Sequence, residues 1–64
     1  MKRRVLIKHL EDNGCLFVRE GKKHSLYLNP INQAVAAIPR HADIKDYLAK
    51  GICSELGIPV AGSN

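Results

Sequence analysis

The spacing of apolar and polar positions divides the chain into two helical and three extended segments. Residues 3–13 place apolar side chains at helical spacing, and Asn13-Gly14 should end this helix because glycine tolerates left-handed backbone geometry. A second helix is predicted over about residues 43–56, with Asp43 as its N-cap and Gly57-Ile58-Pro59 as its C-terminal stop. Its apolar stripe recurs at every fourth position, at Ile44, Leu48, Ile52 and Leu56.

Three short segments between the helices are typical of strands. They cover residues 15–19, 24–29 and 33–38. Glycine and lysines at 21–23 predict the first turn, and Asn-Pro-Ile-Asn at 29–32 predicts the second, because these residue types favour turn geometry. Connections of this length join neighbouring antiparallel strands, so the sequence predicts a three-stranded meander.

Side chains of the middle strand alternate between the two sheet faces. We expect Leu26 and Leu28 on the buried face, and Ser25 and Tyr27 on the open face. His24 would then share the face of the two leucines. Its position as the first residue of the strand, where turn geometry can swing a side chain outward, would keep it exposed.

The order helix, three strands, helix predicts an α+β fold. Two helices would cover one face of a three-stranded antiparallel sheet and leave the other face open. This α-β-β-β-α layout is that of a double-stranded-RNA-binding domain. We expect a single domain over residues 1–59 and a flexible tail over residues 60–64.

The net charge of +4 on 64 residues favours a polyanion or an acidic protein as partner. The chain has no apolar run of the ~20 residues that a membrane span requires and no signal peptide, so we expect a cytoplasmic location. Cys15 and Cys53 show no metal-ligand spacing. They fit small buried hydrophobes, and a single disulfide between them stays open.

The segment from Arg19 to Tyr27 concentrates the candidate chemistry. It combines a turn glycine, Gly21, with three cations, one histidine and one aromatic residue. His24 is open to three interpretations: a structural histidine, a metal ligand, or a general acid or base. Neighbouring residues supply no ligand spacing for a metal, whereas an imidazole beside fixed positive charge suits proton transfer at a phosphodiester.

Other residues near this segment are candidates for substrate binding. Lys22 and Lys23 would hold a phosphate. Tyr27 could stack on a base from the open sheet face or pack against a neighbouring strand. Arg40 and His41 follow the third strand and either lie at the same rim or in a solvated loop.

The chain resembles the HicA family of bacterial and archaeal toxins along nearly its full length. The glycine-then-histidine segment, with an aromatic residue three positions later, is its most specific motif. The resembling segments are Lys2-Arg3-Arg4, Asn13-Gly14, Arg19 to Tyr27, Asn29-Pro30, Ile38-Pro39-Arg40-His41 and Leu56-Gly57-Ile58-Pro59.

The resemblance implies a ribonuclease that cleaves messenger RNA. We expect the reaction to be metal-independent and to use no cofactor, because attack of the RNA 2′-hydroxyl on the adjacent phosphate needs proton transfer and charge stabilisation but no metal. The active histidine of the family falls on His24 and its turn glycine on Gly21. The resemblance also implies a HicB-type antitoxin that covers the histidine, and DNA binding only through that antitoxin. Residues 31–37 are more apolar than in many relatives, which favours a protein contact over RNA at the third strand.

Two other functions fit the same residues. A non-catalytic RNA-binding module would use the same basic rim and would bind RNA in a salt-sensitive manner without cutting it. A pure interaction protein would use the open face and the basic surface for an acidic partner.

Overall fold

A computed structural model, which describes residues 1–61, confirms the predicted α+β architecture. The elements are α1 (Arg3–Asp12), β1 (Leu16–Glu20), β2 (His24–Asn29), β3 (Ala34–Pro39) and α2 (Asp46–Leu56). The strands form one antiparallel sheet in the order β1-β2-β3. Both helices cover the same face of this sheet, as in double-stranded-RNA-binding domains.

Glycines end both helices, as the sequence predicts. Gly14 follows α1 with φ 86°, and Gly57 follows α2 with φ 70°. Left-handed φ values of this kind favour glycine because it lacks a Cβ. After α2 the chain turns back sharply, and the backbone N–H of Ile58 donates to the carbonyl of Cys53 at 3.0 Å.

The predicted start of α2 is wrong. The helix begins at Asp46, with Lys45 at the N-cap position, so Asp43 lies outside the helix. The carboxylate of Asp43 instead forms an ion pair with the Nζ of Lys2 at 3.2 Å. The backbones of the same two residues form an isolated β-bridge. The acidic side chain therefore ties the two chain segments together and does not cap the helix.

The core lies between the helices and the covered sheet face. Leu48, predicted in the apolar stripe of α2, is 40% exposed, and Ile44 is buried ahead of the helix. The buried stripe of α2 runs instead through Ala49, Ile52, Cys53 and Leu56. These side chains pack with Leu6 and Leu10 of α1, and Cys15 joins the same cluster. Both cysteines are free thiols.

The predicted faces of β2 are reversed. Ser25, Tyr27 and Asn29 are buried under the helices, whereas His24 is exposed on the open face with the half-buried Leu26 and Leu28. Polar residues occupy the covered face because the helices supply their hydrogen-bond partners. Asn29, for example, donates from Nδ2 to the carbonyl of Leu56 at the end of α2, at 2.8 Å.

A β-bulge interrupts β1. Phe17 pairs with Tyr27, and Arg19 pairs with Leu26, so Val18 is the extra residue between them. An extra residue reverses the alternation of side chains beyond it. Phe17 therefore shares the covered face with Tyr27, while Arg19, two positions later, lies on the open face.

The end of the chain lies partly outside the described residues. Of the predicted tail over residues 60–64, the structure describes residues 60 and 61, and Ala61 belongs to the core cluster. No helix within residues 1–61 is long and apolar enough to cross a membrane.

Candidate active site

His24 stands at the corner where the first turn enters the sheet. It is the first residue of β2 and pairs with Pro39 of β3. Because its neighbour Ser25 is buried on the covered face, the alternation of the strand directs His24 to the open face. His24 is thus exposed on that face.

The turn before His24 is tightly closed. The backbone N–H of Gly21 donates to the carbonyl of His24 at 2.7 Å. A Cβ at position 21 would lie 3.3 Å from that carbonyl oxygen, so glycine fits here because of the close backbone approach. Lys22 and Lys23 form the tip of the turn, and both are exposed. Two exposed cations thus precede His24 directly in the sequence.

Arg40 holds this turn from the end of β3. One Nη donates to the carbonyl of Gly21 at 2.6 Å and also to the carbonyl of Lys22. The other Nη forms an ion pair with Oε1 of Glu20 at 3.4 Å. Arg40, a candidate for substrate binding, thus lies at the same rim, but its guanidinium already engages protein groups.

Below the turn, a partly buried chain of polar contacts links four elements: α1, β1, β2 and β3. Ser25 is 1% exposed, and its Oγ donates to the carboxylate of Glu20 at 2.9 Å and accepts from Nη2 of Arg3 at 2.7 Å. Arg3 also donates from Nε to the carbonyl of Pro39 at 2.8 Å. These contacts join α1 to all three strands of the sheet. Each hydrogen bond involves a charged group, either the Arg3 guanidinium or the Glu20 carboxylate, and such bonds are stronger than those between neutral groups.

The family comparison covers this whole arrangement. The family model described as the HicA toxin of bacterial toxin–antitoxin systems matches residues 3–58, which include the turn, His24 and the polar chain. The chain belongs to the HicA toxin family. The same comparisons find no similar curated protein and no similar solved structure.

Membership confirms the resemblance that the sequence motifs indicated. HicA proteins are the toxins of toxin–antitoxin pairs, so this chain is a toxin with a cognate antitoxin as partner. The matched region begins at Arg3 of α1 and ends at Ile58 just after α2. All five structural elements therefore belong to the toxin domain.

Tyr27 does not lie where the sequence placed it. In this HicA toxin Tyr27 is 6% exposed on the covered face, and its ring packs edge-on against Phe17, with ring centroids 5.7 Å apart. The prediction that Tyr27 stands on the open face is wrong, whereas the alternative, that it packs against a neighbouring strand, is confirmed. Burial, together with the nearby Glu11 carboxylate, raises the pKa of the Tyr27 hydroxyl above its usual range.

The other histidines of the toxin differ in their surroundings. Nε2 of His9 lies 2.6 Å from the carbonyl oxygen of Pro59, so His9 ties α1 to the segment after α2, as a structural histidine does. His41 is exposed after β3. Within residues 1–61, histidine, cysteine and acidic side chains form no group of three that could hold a metal ion.

Sequence reasoning counted Arg19 among the cations of the motif but assigned it no role. The register places Arg19 opposite Leu26 on the open face, two positions from His24 along β2. Strict alternation from Phe17 would have put Arg19 on the covered face. The bulge carries no clear signal in the sequence, so only the observed strand register finds this neighbour of His24.

The open sheet face beyond His24 is apolar. Leu16 and Val35 are 56% and 51% exposed, and they flank the half-buried Leu28 in one cross-strand row. Ile31, in the second turn, is 88% exposed. An apolar surface next to a cationic rim is typical of a surface that contacts another protein.

Proposed function

We propose that this HicA toxin is an endoribonuclease that cleaves messenger RNA, with His24 as the proton-transfer group and no metal ion in the reaction. The observation that carries the proposal is the exposed imidazole of His24 on the open sheet face, directly after the cationic turn of Lys22 and Lys23. Imidazoles exchange protons near neutral pH, and fixed cations stabilise the charge that develops on a phosphate.

The reaction uses the 2′-hydroxyl of RNA as nucleophile. A base removes the 2′-hydroxyl proton, the 2′-oxygen bonds to the adjacent phosphorus, and the bond from phosphorus to the 5′-oxygen breaks. The leaving 5′-oxygen takes up a proton. The products are a 2′,3′-cyclic phosphate and a 5′-hydroxyl, and His24 performs one of the two proton transfers.

The residues of the rim divide into two groups in this proposal. Lys22 and Lys23 hold the phosphate, because both ammonium groups stand on an exposed turn. Arg40 acts mainly on the shape of the turn, since its guanidinium contacts the carbonyls of Gly21 and Lys22. Tyr27, buried beneath the sheet, has no part in substrate binding.

The cognate antitoxin, in this proposal, is of the HicB type and covers His24. Support comes from the apolar row of Leu16, Leu28 and Val35, which shares the open face with the histidine. A protein docked on this row would bury apolar area and block RNA at the same time. DNA would be contacted only through the antitoxin.

The substrate is single-stranded RNA in the cytoplasm. The sheet exposes its open face next to a cationic corner, and an unpaired strand can bring its sugar and phosphate close to His24. The 2′-hydroxyl requirement excludes DNA as a substrate of this reaction, so a matched DNA strand is the natural negative control.

The decisive experiment compares purified wild type, His24→Ala and His41→Ala on a long single-stranded RNA in the presence of a chelator. His41→Ala tests the exposed histidine after β3, to which this proposal assigns no role. We expect wild type and His41→Ala to cut, leaving cyclic phosphate ends. The rate for His24→Ala should fall about 100-fold or more.

Other results would point elsewhere. Equal cutting by wild type and His24→Ala would remove His24 from the mechanism. Activity lost in chelator and restored by a divalent cation would contradict the metal-independent reaction. Salt-sensitive binding by all three proteins without cleavage would favour the non-catalytic RNA-binding module, which the same cationic rim could form.

A further inference from the structure

The β-bulge in β1 brings Arg19 next to His24. Arg19 pairs with Leu26, and His24 lies two residues before Leu26 on the same strand. Arg19 and His24 are therefore diagonal neighbours on the open face. Such neighbours are about 7–8 Å apart, a distance that a long side chain can span.

The other two arginines near the turn are engaged. Arg40 donates to the turn carbonyls and pairs with Glu20. Arg3 donates to Ser25 and to the carbonyl of Pro39. Arg19 is exposed, and within residues 1–61 its guanidinium takes part in no side-chain hydrogen bond or ion pair. It is thus the arginine at this corner that can bind a ligand without breaking protein contacts.

The bulge is what makes this placement possible. Without the extra residue, the strict alternation of β1 would turn Arg19 to the covered face, on the side of Phe17 and Tyr27. Bulges re-aim side chains at functional edges of sheets. Here the same shift has two effects, because it also turns Glu20 toward Ser25 beneath the turn.

A free guanidinium has the right chemistry for a phosphodiester. Its planar donors match two phosphate oxygens at once, which a lysine ammonium cannot do. We infer that Arg19 binds the phosphate at which His24 acts and stabilises the negative charge that grows on it during cleavage. This inference rests on the proposed ribonuclease function and adds a substrate-binding residue to it.

The test compares Arg19→Gln with Arg4→Gln. Arg4 is an exposed arginine on α1, so both variants lose one positive charge from the surface. We expect Arg19→Gln to lower kcat/KM for RNA cleavage about tenfold or more, the effect of losing a charge-assisted hydrogen bond. Arg4→Gln should stay close to wild type.

Binding measurements separate a direct phosphate contact from a general loss of charge. In the His24→Ala background, the slope of log affinity against log salt should shrink by about 0.7 for Arg19→Gln, and stay unchanged for Arg4→Gln. Arg19→Lys keeps the charge but not the paired donors, so its rate should fall between those of wild type and Arg19→Gln. Thermal unfolding verifies that each variant is folded.

The outcomes distinguish this inference from the proposed function. If His24→Ala abolishes cleavage while Arg19→Gln and Arg4→Gln behave alike, Arg19 is not a phosphate-binding residue and the ribonuclease proposal stands. If His24→Ala cuts as well as wild type, the proposed function itself fails. An unchanged salt slope for Arg19→Gln would also overturn the inference, even with a lower rate.

Discussion

Nη2 of Arg3 lies 2.7 Å from the Oγ of Ser25, which in turn donates to the carboxylate of Glu20. This contact joins the first residue of α1 to the second residue of β2. A cation is unfavourable at the positive end of the helix dipole, and the contact with Ser25 explains why Arg3 occupies that position. It also fixes Ser25 on the covered face, and so fixes His24 on the open one.

We predict that Ser25→Ala destabilises the fold. The change leaves the partly buried guanidinium of Arg3 and the carboxylate of Glu20 without their shared partner. The free energy of unfolding should fall by about 1–3 kcal/mol, because hydrogen bonds to two charged groups are lost. Urea unfolding measures the loss. Ser54→Ala, at an exposed position of α2, is the control and should cost little; equal losses would argue against the polar chain.

Two glycine-to-alanine changes should have opposite effects on the free energy of unfolding. Gly51 lies inside α2, and a Cβ there would meet nothing within 4 Å. Gly51→Ala should therefore raise the free energy of unfolding by up to about 1 kcal/mol. At Gly57, φ is 70° and a Cβ would lie 2.6 Å from Nδ2 of Asn32.

Gly57→Ala should accordingly lower the free energy of unfolding by more than about 1 kcal/mol, because left-handed strain and a close contact act together. The same urea experiment compares both variants with wild type. A stabilising Gly57→Ala would mean that the helix ends in another conformation.

The protein should lose stability at alkaline pH. The folded state holds the pKa of Tyr27 above the ordinary value of 10.0 through burial and then Glu11, and burial likewise raises the pKa of Cys15 above 9.0. Above those ordinary values the unfolded chain releases protons more readily than the folded one. The stabilisation that follows from the raised pKa values is complete below the ordinary pKa values. It declines as pH rises through the pKa values of the folded state.

A single-tyrosine variant makes this measurable. In Tyr47→Phe, tyrosinate absorbance reports Tyr27 alone. Its titration midpoint in the folded protein should exceed the midpoint in urea. Tyr27→Phe should in turn flatten the alkaline decline of the free energy of unfolding. Coincident midpoints for folded and unfolded protein would contradict the burial of this ring.

The apolar row on the open face should serve the antitoxin more than RNA. Val35 and Val5 are 51% and 50% exposed, on the open sheet face and on α1 respectively. We expect Val35→Asp to weaken binding of the cognate antitoxin about tenfold or more while RNA cleavage persists, and Val5→Asp to do neither. Calorimetry measures the affinity of each variant for the antitoxin, and a cleavage assay measures its activity on RNA. Equal effects of both changes would place the antitoxin elsewhere.

Local patterns anticipated much of the fold. The bounds of β2 agree with the prediction, and Gly14 and Gly57 end their helices as expected. These features depend on side-chain period and on backbone geometry near one residue, which a single sequence contains. The start of α2 was mispredicted because the carboxylate of Asp43 bonds to Lys2, a partner 41 positions away in the chain.

The sequence by itself determined that His24, Leu26 and Leu28 share one face of a strand, because side chains of a strand alternate. Only the tertiary structure decided that this face is the open one. The helices bring Arg3 and the carbonyl of Leu56 to the opposite face, where they satisfy Ser25 and Asn29. The position of Arg19 depended equally on an extra residue in β1 that no local pattern reveals. Contacts between distant segments set both outcomes.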